Sequence, residues 1–168
     1  MADNFLEKRM EQHRAQASSS VSKARASLSL LVERCAAPIA DGYVVRADQL
    51  RRIVSAAVKL SACSYFRYRI LLSLDAAFHE ALPLSPSSAC IVVCSPFEAN
   101  AFELGRVVQV MQLQAAEIGL SALPIKDFDA RLLADALSLP LLPCAVLAVG
   151  RAAAPVPCEP SLLDDFFI

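Results

Sequence analysis

Residues 103–129 read ELGRVVQVMQLQAAEIGLSALPIKDFD, and the pattern within this stretch decides the fold. From Leu104 to Ile118, apolar residues fall on most of a helical circumference: Val107, Val108, Val110, Met111, Leu113, Ala115 and Ile118. A polar stripe of Arg106, Gln109 and Gln112 interrupts them. Such a helix belongs in the middle of a domain, with one narrow side left for solvent, a ligand or a partner. Gly119 suits the left-handed position just past a helix end. The run Ala122–Ile125 then reads as a strand. Phe128–Leu137 reads as a short helix stopped by Pro140, with Asp127 or Asp129 as its cap.

Working outward, Arg46–Leu60 forms a helix with Leu50, Ile53, Val54, Ala57 and Val58 on its buried side. Ser61–Arg67 is a loop and Tyr68–Leu74 a strand; Asp75–Leu82 adds two helical turns. Ala89–Cys94 is almost wholly apolar, the kind of strand covered on both faces. Cys144–Val149 is the last core strand, closed by Gly150. Before these elements come an amphipathic helix over Asn4–Gln16, a Ser-rich hinge to Ser22 and a helix over Leu28–Arg34. After them, Arg151–Pro160 is Ala/Pro-rich and extended, and Ser161–Ile168 ends in large apolar residues expected to dock on a partner. The alternation of helices and strands predicts an α+β domain, a mixed β-sheet wrapped by helices around the buried central helix. The expected organisation is an N-terminal arm and hinge (1–22), the α+β domain (23–151) and a C-terminal tail (152–168).

A length of 168 residues suits one domain with a substantial core. Hydrophobic content of 56% is above the usual range and points to surface buried against another subunit. A net charge of −1 gives no electrostatic footprint for nucleic acid. No apolar run reaches membrane-spanning length, and Met1–Gln16 is charged rather than signal-like, so a soluble, cytoplasmic protein without membrane contact is expected. The six cysteines do not form a disulfide framework. Strand alternation places Cys90 and Cys94 on one face, but they lack a second pair or nearby histidines, so no metal site is expected. His13 and His79 read as incidental helix residues. No nucleophile–base pairing stands out.

The ordered run Glu103-Leu104-Gly105, Gln109, Ile118-Gly119-Leu120 and Pro124-Ile125-Lys126-Asp127-Phe128-Asp129 resembles the flavin-dependent nitroreductase family. That family's central helix carries an acidic-x-Gly-x-x-x-Gln pattern, ends in Leu-Gly and is followed by a Pro-Ile-Glu-Gly-Phe-Asp-like loop. The resemblance covers roughly residues 28–168. It implies a nitroreductase-like α+β fold, normally an intertwined homodimer with FMN at the interface. Its FMN-binding positions would be Arg34, Ser61, Ala62, Ser64, the loop Pro124, Ile125, Lys126 and Asp127, and Arg151. Of the family's three phosphate-binding basic residues near the N-terminus only Arg34 remains, and Cys35 replaces a serine. Ser64 stands for the family's flavin-edge Asn and Tyr68 for its Trp. Lys126 replaces Glu, and Asp127 replaces a Gly, which matters if that position needs positive φ. Arg151 is the last basic residue of the chain. Arg106 and Gln109 could serve a site or form the wet side of the helix.

Two functions follow. One is an FMN-dependent NAD(P)H oxidoreductase, passing hydride through the flavin to a small nitro, quinone or similar acceptor; the cofactor carries the chemistry, so no catalytic triad is expected. The other is a flavin-free scaffold with a structural or interaction role, to which the thinned phosphate contacts point.

Overall fold

The computed structural model describes residues 39–40, 42–60, 65–72, 82 and 89–153. Within them the chain forms β1 (Ile39–Ala40), α1 (Ala47–Val58), β2 (Arg67–Leu71), β3 (Ala89–Ser95), α2 (Ala101–Glu117), β4 (Leu120–Ile125), α3 (Ala130–Ala136) and β5 (Leu142–Ala152). The arm, the hinge, the helix over 28–34, most of the helix expected over 75–82 and the tail beyond Ala153 lie outside the described residues.

The apolar run of β3 sets the architecture, because all seven of its residues are buried. On one face, Ala89, Ile91 and Val93 join Leu147 and Val149 of β5 and Leu120 and Ala122 of β4. Leu50, Ile53 and Ala57 of α1 and Val107, Met111 and Ala115 of α2 close over that face. On the other, Cys90, Val92 and Cys94 pack with Val146, Leu71, Leu82 and Leu133 of α3. Cys90 and Cys94 thus share a face, as strand alternation requires.

β5 is the spine of the sheet: Val149 lies opposite Ala89 of β3 on one edge and Ala122 of β4 on the other. Further along, Arg151 is matched with Ala40 of β1 and with Leu120. β2 pairs with the free edge of β3. All four ladders are antiparallel, so the α+β class stands, while the parallel component of the expected mixed sheet is not found among the described residues. β3 and β4 both run antiparallel to β5 between them and therefore parallel to each other, so α2 joins them as a crossover across one face of the sheet.

β1 was not legible as a strand. It forms because Gly150 lets it approach: a Cβ at Gly150 would overlap the Ile39 side chain. At the opposite end of β5 the register slips, Val93 facing Ala145 and Cys94 facing Pro143. Cys144 is the extra residue, and its thiol donates to the Val93 carbonyl at 3.3 Å. A bulge tolerates Pro143, which has no N–H to offer the ladder.

α2 begins earlier than its apolar periodicity suggests. Asn100 caps it, accepting from the N–H groups of Phe102 (2.9 Å) and Glu103 (3.3 Å). It ends at Glu117, with Gly119 at φ 76°. Its burial is one-sided: Val107, Met111, Ala115 and Ala116 are buried, whereas Phe102, Arg106 and Gln109 are exposed and Val110 and Leu113 only half-buried. The expected near-complete burial is therefore not reached within one chain. α1 buries Leu50, Ile53 and Ala57, but Val58 faces solvent rather than the core. The cap of α3 is Asp129, which accepts from Arg131 and Leu132 N–H groups, both at 2.9 Å.

Candidate functional site

Among the described residues β4 pairs only with β5, and such an edge position tolerates Pro124 opposite Leu147. Pro124 is exposed, and Ile125 packs half-buried beside Phe128 against the second core. Lys126 and Asp127 follow as exposed, non-helical residues that make no backbone hydrogen bond with other described residues. Among the described non-glycine residues only Ser138 has positive φ. Asp127 therefore stands in place of a glycine without left-handed strain.

Arg151 is exposed within β5, one residue past the glycine that admits β1. Leu120 faces Arg151 and Ile125 faces Val146, so Arg151 and the 124–127 loop sit at opposite ends of β4. Five strand steps separate them, about 17 Å along the ladder. Only an elongated ligand could touch both. Arg34, Ser61, Ala62 and Ser64 lie outside the described residues.

The flanks of 61–64 are described. On one side Leu60 packs on the main core. On the other, the Tyr65 hydroxyl donates to the Glu103 carboxylate in the first turn of α2. The Tyr65 ring lies 4.3 Å from that of Phe66 and 4.6 Å from that of Phe97. Sequence reasoning missed this cluster, although Glu103 opens the helix pattern and stands three residues after the Asn100 cap, a legible start signal.

A groove of about 550 Å³ runs along the outer side of α2, lined by Leu60, Ala101, Phe102, Gly105, Arg106, Gln109 and Val110. The Arg106 guanidinium carbon lies 5.9 Å from the Phe102 ring centroid, a cation–π geometry. Arg106 and Gln109 thus belong to an open apolar surface, not to a solvated polar stripe alone.

The three described thiols, Cys90, Cys94 and Cys144, are not poised for nucleophilic work. Burial pushes Cys90 up to about 12 and Cys144 up to about 11, with the nearby Cys94 adding to the latter, and burial raises Cys94 as well. They stay protonated near neutrality and pack as small hydrophobes. No group of three metal-ligating side chains occurs among the described residues. No described helix is long and apolar enough to cross a membrane.

No protein-family model matches the sequence, and no curated protein is similar to it. Solved structures are. A nitroreductase family protein from Streptococcus pneumoniae superposes with TM-score 0.63 at 14% identity, over 84% of this chain and 98% of that one. An FMN-dependent nitroreductase from Clostridium difficile gives 0.63 at 15% identity, over 83% and 96%. An iodotyrosine deiodinase bound to FMN and 3-iodo-L-tyrosine gives 0.60 at 15% identity, over 80% and 94%. The chain has the nitroreductase fold.

Proposed function

From a chain with this fold, we propose an FMN-dependent oxidoreductase that takes hydride from NAD(P)H and passes it to a small nitro, quinone or similar acceptor. The observation that carries the reading is the loop after β4. Its amides at Lys126 and Asp127 lie outside the sheet ladder, and its backbone takes an ordinary conformation despite the Gly-to-Asp replacement. Bound FMN would supply the hydride-carrying chemistry. The chain's own residues would hold and orient it. Backbone N–H groups of Ile125, Lys126 and Asp127 would meet the ring edge, and Arg34 and Arg151 the phosphate, with Ser61, Ala62 and Ser64 contributing the remaining contacts. The separation of Arg151 from the loop suits a ring system that carries its phosphate on a long chain.

The same reading makes the protein a cytoplasmic homodimer. The uncovered apolar side of α2 would face a second copy, with the N-terminal arm (1–22) and the tail (152–168) docking across the pair. A flavin-free scaffold is the second reading. It is favoured by sparse phosphate-binding charge, because no Lys or Arg follows Arg151.

Equilibrium titration of FMN against the wild-type protein and Arg151→Ala tests the first reading. A charge-assisted hydrogen bond contributes about 1.5–3 kcal/mol, so the variant should bind FMN roughly 10- to 150-fold more weakly. An unchanged affinity would take Arg151 out of the site.

A further inference from the structure

A second cavity lies on the opposite side of the sheet from α1 and α2. It is a half-open concavity of about 410 Å³, lined among the described residues by Arg67, Tyr68, Arg69, Cys94, Leu139, Pro140 and Leu141. Its construction follows from the strand register. Arg67 faces Cys94 and Arg69 faces Val92, so both arginines stand on the side of the sheet where Val92 and Cys94 enter the second core. Alternate residues of one strand share a face about 7 Å apart. The wall opposite is the segment after α3, whose Leu139 and Leu141 pack against that same core.

Among the described residues, the lining contains two cationic side chains and no carboxylate. One guanidinium is partly fixed already: Arg67 donates through Nη1 to the carbonyls of Tyr65 (3.2 Å) and Phe66 (3.1 Å). Arg69 is exposed and takes part in no ion pair among the described residues. Edge strands often carry charge simply to block pairing with another sheet. That role needs neither a concavity nor an apolar wall, and this site has both. A cavity of this size, mostly apolar with a few placed polar groups, has the make-up of a small-molecule site. A planar guanidinium matches a carboxylate in two-point contact.

We propose that this cavity binds a small organic monoanion, a carboxylate on an aromatic or branched apolar body, with Arg69 and Arg67 gripping the carboxylate and Leu139, Pro140 and Leu141 covering the body. The site does not rest on the flavin reading, and among the described residues none of those assigned to FMN lines it.

The test uses the full chain, with sodium benzoate as probe, benzyl alcohol as its uncharged counterpart and inorganic phosphate as a bare anion. Benzoate should produce saturable amide shifts in nuclear magnetic resonance spectra, centred on Arg67–Arg69, Cys94 and Leu139–Leu141. Benzyl alcohol and phosphate should each bind at least tenfold more weakly. Arg69→Gln should weaken benzoate at least tenfold with the rest of the spectrum unchanged, and Arg69→Lys should recover part of the loss. Equal binding of the alcohol, equal binding of phosphate, shifts that never saturate, or an unaffected Arg69→Gln would each overturn the proposal.

Discussion

α1 and α2 lie side by side over one face of the sheet, yet they meet their surroundings differently. α1 divides cleanly, with Leu50, Ile53 and Ala57 inward and Arg51, Arg52 and Ser55 outward; only Val58, in its last turn, departs from the rule. α2 buries an equivalent stripe at Val107, Met111 and Ala115, but its other side carries Phe102 at 74% exposure together with half-buried Val110 and Leu113. An amphipathic helix is completed by its own chain. A helix that is apolar on both sides is complete only when something else covers it. The single ion pair joining the two helices, Arg52–Glu117 at 3.5 Å, is exposed at both ends and contributes little either way.

The largest expected effects should leave the two helices indistinguishable. Ile53→Ala and Met111→Ala each remove a fully buried side chain, and each should cost about 2–5 kcal/mol in chemical denaturation. A Met111 variant that costs almost nothing would mean that α2 is not anchored to the sheet as described.

The next effect should separate them. Val110→Asp puts charge on the open side of α2 and should weaken self-association roughly 30-fold or more, about 2 kcal/mol, as read by sedimentation. Ser55→Asp on the outer side of α1 should leave association unchanged. Equal behaviour of the two variants would remove the distinction between the helices.

The smallest effect concerns the start of α1. The hydrogen bond from Arg46 holds the Asp48 carboxyl below its ordinary range; desolvation opposes this, and the attraction of the same guanidinium adds a lesser lowering. A carboxyl lowered on folding contributes stability that is present above its unfolded value, near 3.8, and lost as pH falls through the lower folded value. Asp48→Asn should therefore lower the melting temperature slightly at neutral pH and leave it unchanged below the folded value, so that the acid-side loss flattens in a melting series. Since both partners are well exposed, added salt should mask the difference.

Much of this architecture was legible because burial and periodicity speak the same language. The almost wholly apolar run of Ala89–Cys94 announced a strand covered on both faces, Gly119 marked the end of α2, and Asp127 or Asp129 the start of α3, of which the structure selects Asp129. What escaped depended on partners remote in sequence. β1 exists because Gly150 leaves room for Ile39, a fact visible only once β5 brings them together. The bulge at Cys144 and the Tyr65–Glu103 contact are likewise products of register and packing. One-sided burial of α2 could not be read from composition, because the same residues would serve a fully enclosed helix. Of the candidate site, the 124–127 loop and Arg151 were found by resemblance, and the structure adds that they occupy opposite ends of β4. The arginine-lined cavity gave no sequence signal, since two arginines two residues apart on a strand look like ordinary edge protection.

The central claim is that this fold still holds a working flavin. The most direct measurement is the visible absorption spectrum of the purified protein after incubation with excess FMN and removal of the unbound cofactor, followed by anaerobic addition of NADH or NADPH. The account predicts a retained flavin spectrum that bleaches on addition of the nicotinamide. A protein that emerges colourless from the same treatment would contradict it and leave the scaffold reading in its place.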